Sequence, residues 1–151
     1  MAMTMNGEYQ LPAKQEVVWE KLNDAAVLKA CIPGCEELDK TSPTDFQAVA
    51  TIKIGPVKAK FKGKVTLSEI DPPNGYKISG QGEGGVAGFA KGGATVKLTT
   101  KDGGTLLTYN VEAQIGGKLA QLGQRLVNGA AKKIADDFFH NFVAAVSEPA
   151  S

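Results

Sequence analysis

Three groups of residues have types and spacings that could do chemistry. Residues 80–96, GQGEGGVAGFAKGGATV, contain Gly80-x-Gly82-x-x-Gly85, the spacing of a loop that cradles a dinucleotide phosphate. Cys31 and Cys35, in CIPGC, are spaced for a redox or metal role. Asp136, Asp137 and His140 bring titratable groups together near the C-terminus. Each fails when its surroundings are considered. A phosphate loop needs a strand before it and a helix after it, so that the helix N-terminus faces the phosphates. A strand pattern precedes Gly80, but a further alternating strand follows Gly93, and no helix can start between them. A metal site built on the cysteines needs more ligands, yet the chain has no other cysteine and one histidine. Pro33-Gly34 suits a helix end, so two reduced, packed thiols are expected, with a disulfide or redox pair as the alternative. Adjacent residues on a helix point about 100° apart, so Asp136 and Asp137 do not form a carboxylate pair. His140 shares a polar side with Lys133 and Asp136. No Ser/His/Asp or Cys/His set can be assembled. The sequence therefore predicts no catalytic residue, no metal ligand and no cofactor.

The elements explain what the glycines are for. The length of 151 residues suits one domain, residues 1–151, which can bury roughly 68–70% of its unfolded surface. A net charge of +1 gives no basic field, so nucleic acid is not an expected partner. The start, MAMTMNGEYQL, has no basic region followed by an apolar run, and no run approaches the ~18–20 residues of a membrane span. A cytoplasmic location is expected. Met3, Met5, Gly7, Tyr9 and Leu11 alternate with polar residues, which predicts a half-buried strand. Pro12 suits the first turn of a following helix, with Val18, Trp19 and Leu22 on its apolar side. A second short helix, about 25–32, stops at Pro33-Gly34. From residue 36 to about 115 the pattern is antiparallel strands. In FQAVATIKIGPVKAKFKGKVTL, a two-residue Gly55-Pro56 turn pairs Ile54 with Val57, Ile52 with Ala59 and Ala50 with Phe61. Turn chemistry and alternation agree on that one register. Strands at roughly 75–84, 89–101 and 105–115 follow. A long helix over about 118–146 carries an apolar stripe of Leu119, Leu122, Leu126, Ala130, Ile134, Phe138 and Phe142. The fold class is α+β: a curved antiparallel sheet of about seven strands wrapped around a long C-terminal helix, with two short helices after the first strand.

The inward face is rich in small residues. Ala48, Ala50, Ala59, Gly63, Gly80, Gly82 and Ala113 fall there, and Gly123 and Ala130 face them from the helix. Either the helix packs very close to the sheet, or space remains, and an apolar ligand cavity is the expectation. Its predicted lining from the sheet is Phe46, Ala48, Ala50, Phe61, Gly63, Tyr76, Gly80 and Tyr109, with Phe89 as a lip. From the helix come Leu122, Gly123, Leu126, Ala130, Ile134 and Phe138. Tyr9, Tyr76, Tyr109 and Thr100 are candidates to hydrogen-bond a ligand. The Gly55-Pro56 turn, the glycine loop at 82–93 and Gly116-Gly117 share one end of the sheet. That loop reads either as a pliable rim around a cavity mouth or as a set of tight turns and bulges. Lys58, Lys60, Lys62 and Lys64 alternate with core residues, so they lie on the outer face about 6.6 Å apart at each step. They read as a solvated face or as a docking surface for an acidic protein or an anionic membrane.

Four stretches, CIPGCEEL, KIGPVKAKFKGKV, GGVAGFAKGGATVKL and GGKLAQLGQRLVNGAAKKIADDFF, resemble the CoxG family of carbon monoxide dehydrogenase proteins. That family belongs to the START- and pollen-allergen-like superfamily with the helix-grip fold. The resemblance implies an accessory protein of molybdenum hydroxylases such as carbon monoxide dehydrogenase, rather than an enzyme. It implies a hydrophobic small molecule, a respiratory quinone or a lipid, held between sheet and helix, and a role in recruiting the enzyme to the membrane. It carries over no catalytic residue. Many members continue through a linker into an apolar or amphipathic tail. Here the sequence ends at SEPAS, so the expected membrane contact is transient, peripheral at the inner face, and made through lysines or the glycine-rich rim. Two alternatives from other classes stay open: a polyketide cyclase or aromatase-like enzyme, and a docking module without a small ligand.

Overall fold

The computed structural model describes residues 1–147, and the final EPAS lies outside them. The first strand, β1 (Ala2–Leu11), is followed by α1 (Gln15–Leu22) and α2 (Ala25–Cys31). Next come β2 (Cys35–Lys40), β3 (Asp45–Ile54), β4 (Val57–Asp71), β5 (Gly75–Glu83), β6 (Phe89–Lys101) and β7 (Gly104–Gly116). A short helix α3 (Lys118–Gln121) and the long helix α4 (Gln124–Ser147) close the described chain. The seven strands form one antiparallel sheet in the order β1-β7-β6-β5-β4-β3-β2. The helices cover its apolar face, which is the helix-grip arrangement expected from the sequence.

Local chemistry sets these boundaries. Asp24 caps α2 by accepting from the amides of Ala26 (2.9 Å) and Val27 (3.3 Å), satisfying donors that a helix start leaves free. Gly55 adopts φ +55°, and the β3–β4 register pairs Ile54 with Val57, Ile52 with Ala59 and Ala50 with Phe61. The long helix differs from the sequence expectation. It is broken at Leu122-Gly123, where Gly123 adopts φ +90°, a conformation in which glycine ends a helix at low cost. The break turns the phase of everything after it. The residues of α4 that become buried are Val127, Phe139, Phe142 and Val146.

The glycine loop is also different from a pliable gate. Gly82 pairs with Ala90, Gly80 with Gly92 and Ser79 with Gly93 in a regular ladder. The connection is only 84–88, closed by a hydrogen bond from the Gly84 amide to the Gly88 carbonyl (2.9 Å). Gly88 lies against the β7–α3 connection, where a Cβ would come within 2.0 Å of the Gly116 carbonyl oxygen. Backbone packs on backbone there, so these glycines serve a tight turn and a close approach.

The apolar interior has two parts. Leu11, Val18, Leu107 and Phe142 centre the larger cluster beneath α1 and α2, while Met3, Ile115, Leu119 and Val127 form a smaller one where α3 meets α4. Both cysteines are free: Cys31 is buried and Cys35 half-buried. Burial pushes both thiols above their ordinary pKa, which keeps them protonated and poorly nucleophilic.

Candidate functional site

Between sheet and α4 lies an apolar space in two connected parts. The larger, of about 500 Å³, sits beneath α2 and is walled by Leu22, Leu28, Ile32, Phe46, Tyr76, Tyr109, Phe138 and Phe139, among others. The smaller, of about 290 Å³, lies toward the Gly55-Pro56 turn and is walled by Met3, Ala48, Ala50, Phe61, Gly63, Leu119 and Val127, among others. Ala131 and Ile134 of α4 line both. Gly80 belongs to the sheet floor between them, with Val65, Ile78, Gly82 and Ala90.

The small inward residues mark space rather than close packing. A Cβ built on Gly63, Gly80 or Gly82 would meet only atoms of neighbouring strands, and no helix atom lies within 4 Å of it. The helix stands off the sheet at these positions.

The structure brings Phe46, Tyr76, Tyr109, Ile134 and Phe138 together around the larger cavity, and Ala48, Ala50, Phe61, Gly63 and Ile134 around the smaller. Five positions expected in the lining are elsewhere. Phe89 is 41% exposed and its ring lies against Gly116. Leu126 is 40% exposed and reaches over Gly55. Leu122 joins the smaller apolar cluster. Gly123 makes the helix break, and Ala130 is turned away. The helical residues that do line the space are Val127, Ala131, Ile134, Ala135, Phe138 and Phe139, one phase step from the expected stripe because of the break. Thr100 is not inside either: it is exposed and its hydroxyl donates to Gln15 Oε1 (2.8 Å).

Polar groups in the lining are two phenols. The Tyr109 hydroxyl leans over Gly7, where a Cβ would stand 2.8 Å from it. Tyr76 is 7% exposed and packs against Trp19 with ring centroids 5.2 Å apart. Burial alone pushes the Tyr76 hydroxyl up to about 12, so it is a neutral donor near pH 7. No charged side chain lines either cavity among the described residues.

One polar link at the edge of this space gives no sign in the sequence. Tyr9 stacks on Phe139 (4.1 Å) and its hydroxyl donates to Asp136, which also accepts from Lys132 (3.0 Å). This ties the edge strand β1 to α4. Burial first, and then the Asp136 hydrogen bond, raise the pKa of Tyr9. The Tyr9 hydroxyl, and then Lys132, hold Asp136 below the ordinary carboxylate value. A folded-state value below the unfolded one stabilises the fold above the unfolded pKa near ~3.9, and that stability is lost as pH falls through the folded value. Tyr9→Phe should lower the melting temperature at neutral pH by about 2–4 °C. It should also flatten the decline in melting temperature on acidification below about pH 4. A variant that declines with acid as steeply as the parent would refute this role.

The outer face carries Lys58, Lys60, Lys62 and Lys64, all exposed. Lys60 pairs with Glu36 (3.7 Å), and Lys62 stands opposite Glu83. Lys62 and Lys64 share a shallow groove with Glu37, Asp39 and Glu83, so the lysine strand is partly compensated. Its uncompensated end is the cross-strand neighbours Lys58 and Lys53, next to the Gly55-Pro56 turn. At this same end Val86 is 82% exposed, beside the exposed Phe89 and Leu126. Lys118 and Arg125 flank them on α3 and α4.

Among the described residues no helix is long and apolar enough to cross a membrane.

Comparison with known proteins adds to this geometry. Residues 7–147 match the carbon monoxide dehydrogenase family CoxG. The crystal structure of a conserved protein from Geobacillus kaustophilus is 36% identical, with a TM-score of 0.90 over 96% of this chain and 95% of that one. Two more distant structures show the fold alone. Ara h 8.0201 is 15% identical, with a TM-score of 0.67 over 97% of this chain and 98% of its own. The Zhui aromatase/cyclase from Streptomyces sp. R1128 is 11% identical, with a TM-score of 0.70 over 97% and 94%. No curated protein matches the chain.

Proposed function

Because the chain belongs to the carbon monoxide dehydrogenase CoxG family, we propose that it is a non-catalytic accessory protein that carries a hydrophobic small molecule for a molybdenum hydroxylase such as carbon monoxide dehydrogenase. The observation that carries this reading is the apolar space held open between α4 and the sheet. A pocket of some 300–1,000 Å³ with few polar groups is the usual form of a small-molecule site. A respiratory quinone or a lipid fits that chemistry. The cyclase or aromatase reading needs an inward acid or base with a pKa near neutrality. The lining offers neutral phenols instead, and this favours carriage over catalysis.

The test is native mass spectrometry of the protein purified from its own host. The expected spectrum shows an adduct with the mass of a quinone or neutral lipid, which organic extraction removes. Protein that is free of any adduct, and that takes up none when incubated with the host's lipid extract, would contradict carriage.

A second element of the proposal concerns the membrane. The exposed Val86, Phe89 and Leu126, with Lys53, Lys58, Lys118 and Arg125 around them, form an apolar tip in a cationic collar. That combination suits transient contact with an anionic bilayer surface. It also stands next to the smaller cavity, so a ligand could pass there without crossing water.

A further inference from the structure

We infer that the Tyr76 hydroxyl selects the ligand's polar end, and that the cavity takes molecules with an uncharged hydrogen-bond-accepting head while rejecting carboxylates and phosphate esters. This rests on the proposed carriage of a hydrophobic molecule.

The inference begins from an unpaired group. Tyr76 is 93% buried by area, from its 7% exposure, yet its hydroxyl makes no hydrogen bond to any described residue. Buried hydroxyls are normally paired, because an unmade bond leaves the desolvation penalty uncompensated. The other phenol of the lining is accounted for by its seat over Gly7, beside Tyr9. Tyr76 is thus the donor left for a ligand. It sits at the far end of the larger cavity from the passage at Ala131 and Ile134, next to Trp19 of α1.

Charge selection follows from the rest of the wall. An ionised head placed against apolar side chains loses its hydration and gains no counter-charge. Lys40 is the cation to consider, since its Nζ stands 5.5 Å from the Phe46 ring centroid. It is exposed and donates to the Asn23 carbonyl (3.3 Å), so it remains hydrated outside the lining. A carbonyl oxygen needs only a donor, and Tyr76 supplies one. Burial raises the phenol's pKa to about 12, so the proton stays on the donor across the physiological range.

The experiment displaces Nile red, an uncharged fluorescent probe, from the purified protein. The competitors are 2-tridecanone, tridecane and dodecanoate at neutral pH. The ketone should displace the probe at a concentration at least about tenfold lower than dodecanoate. Tyr76→Phe should weaken the ketone about three- to tenfold while leaving tridecane unchanged, since one neutral hydrogen bond is lost. Lys40→Gln should change neither. Dodecanoate competing as well as the ketone, or doing so through Lys40, would overturn the inference. So would a Tyr76→Phe variant that keeps the full preference for ketone over alkane. Failure of the parent protein to bind Nile red would instead overturn the carrier reading, and this inference with it.

Discussion

Ala131→Trp is expected to abolish Nile red binding while leaving the protein folded. Ala131 lines both parts of the apolar space, so an indole there obstructs the passage from either side. The loss should be large. Each buried CH₂ contributes about 0.8 kcal/mol, so excluding even one five-carbon segment of a ligand removes roughly 3–4 kcal/mol, a factor of several hundred. Stability should barely change, because the new side chain enters existing space instead of overpacking. In a filled core the same substitution would cost about 1–3 kcal/mol or more. Ala130→Trp provides the control: Ala130 lines neither cavity, so probe binding should persist. A sharply lower melting temperature for Ala131→Trp, together with a parent that binds no probe, would mean that sheet and helix close on each other in solution.

The second large effect is at the rim. Val86→Asp combined with Leu126→Asp should reduce partitioning onto anionic vesicles by at least about tenfold, because two exposed apolar side chains each contribute up to ~1.5–3 kcal/mol on insertion. Melting should be unaffected, since both residues are exposed. Changing Lys58, Lys60, Lys62 and Lys64 together to Gln should reduce partitioning less. Glu36 and Glu83 already offset Lys60 and Lys62, which leaves Lys58 as the member beside the rim. Parent binding should weaken between low and physiological salt, where the screening length shortens toward about 8 Å. Binding that ignores salt and survives the double substitution would exclude this surface.

Much of the site can be read from the sequence because local rules fix it. Gly55-Pro56 leaves one turn geometry, and the strict alternation on either side leaves one register, so Ala48, Ala50, Phe61 and Gly63 fall on the inner face. The helical half is misplaced by sequence periodicity for an equally local reason. Counting Leu119, Leu122, Leu126 and Ala130 as one stripe assumes an unbroken helix, and Gly123 breaks it. A glycine after a leucine at the end of one apparent turn is a stop signal, and heeding it moves the inward phase to Val127, Ala131 and Ile134. The glycines of 80–93 are ambiguous in principle. Glycine serves mobile segments and close backbone approaches alike, and only the contact between Gly88 and Gly117 separates the two. The link from Tyr9 to Asp136 spans 127 positions, and no spacing rule reaches that far.

The sheet order dictates when the fold can close during synthesis. Strands β2 to β7 pair each with its successor, so they can add hairpin by hairpin as they leave the ribosome. β1 cannot join them. Its partner is β7, with Ala2 opposite Gln114, and at about 5–20 residues per second the first strand waits roughly 5–20 s for the last to be synthesised. During that time Met3, Met5, Tyr9 and Leu11 remain exposed on an unpaired edge, the kind of segment that invites intermolecular strand pairing. α4, which covers the apolar face, is completed later still. The central meander can therefore form during translation, whereas closure of the sheet and creation of the ligand space must wait until almost the whole chain has emerged.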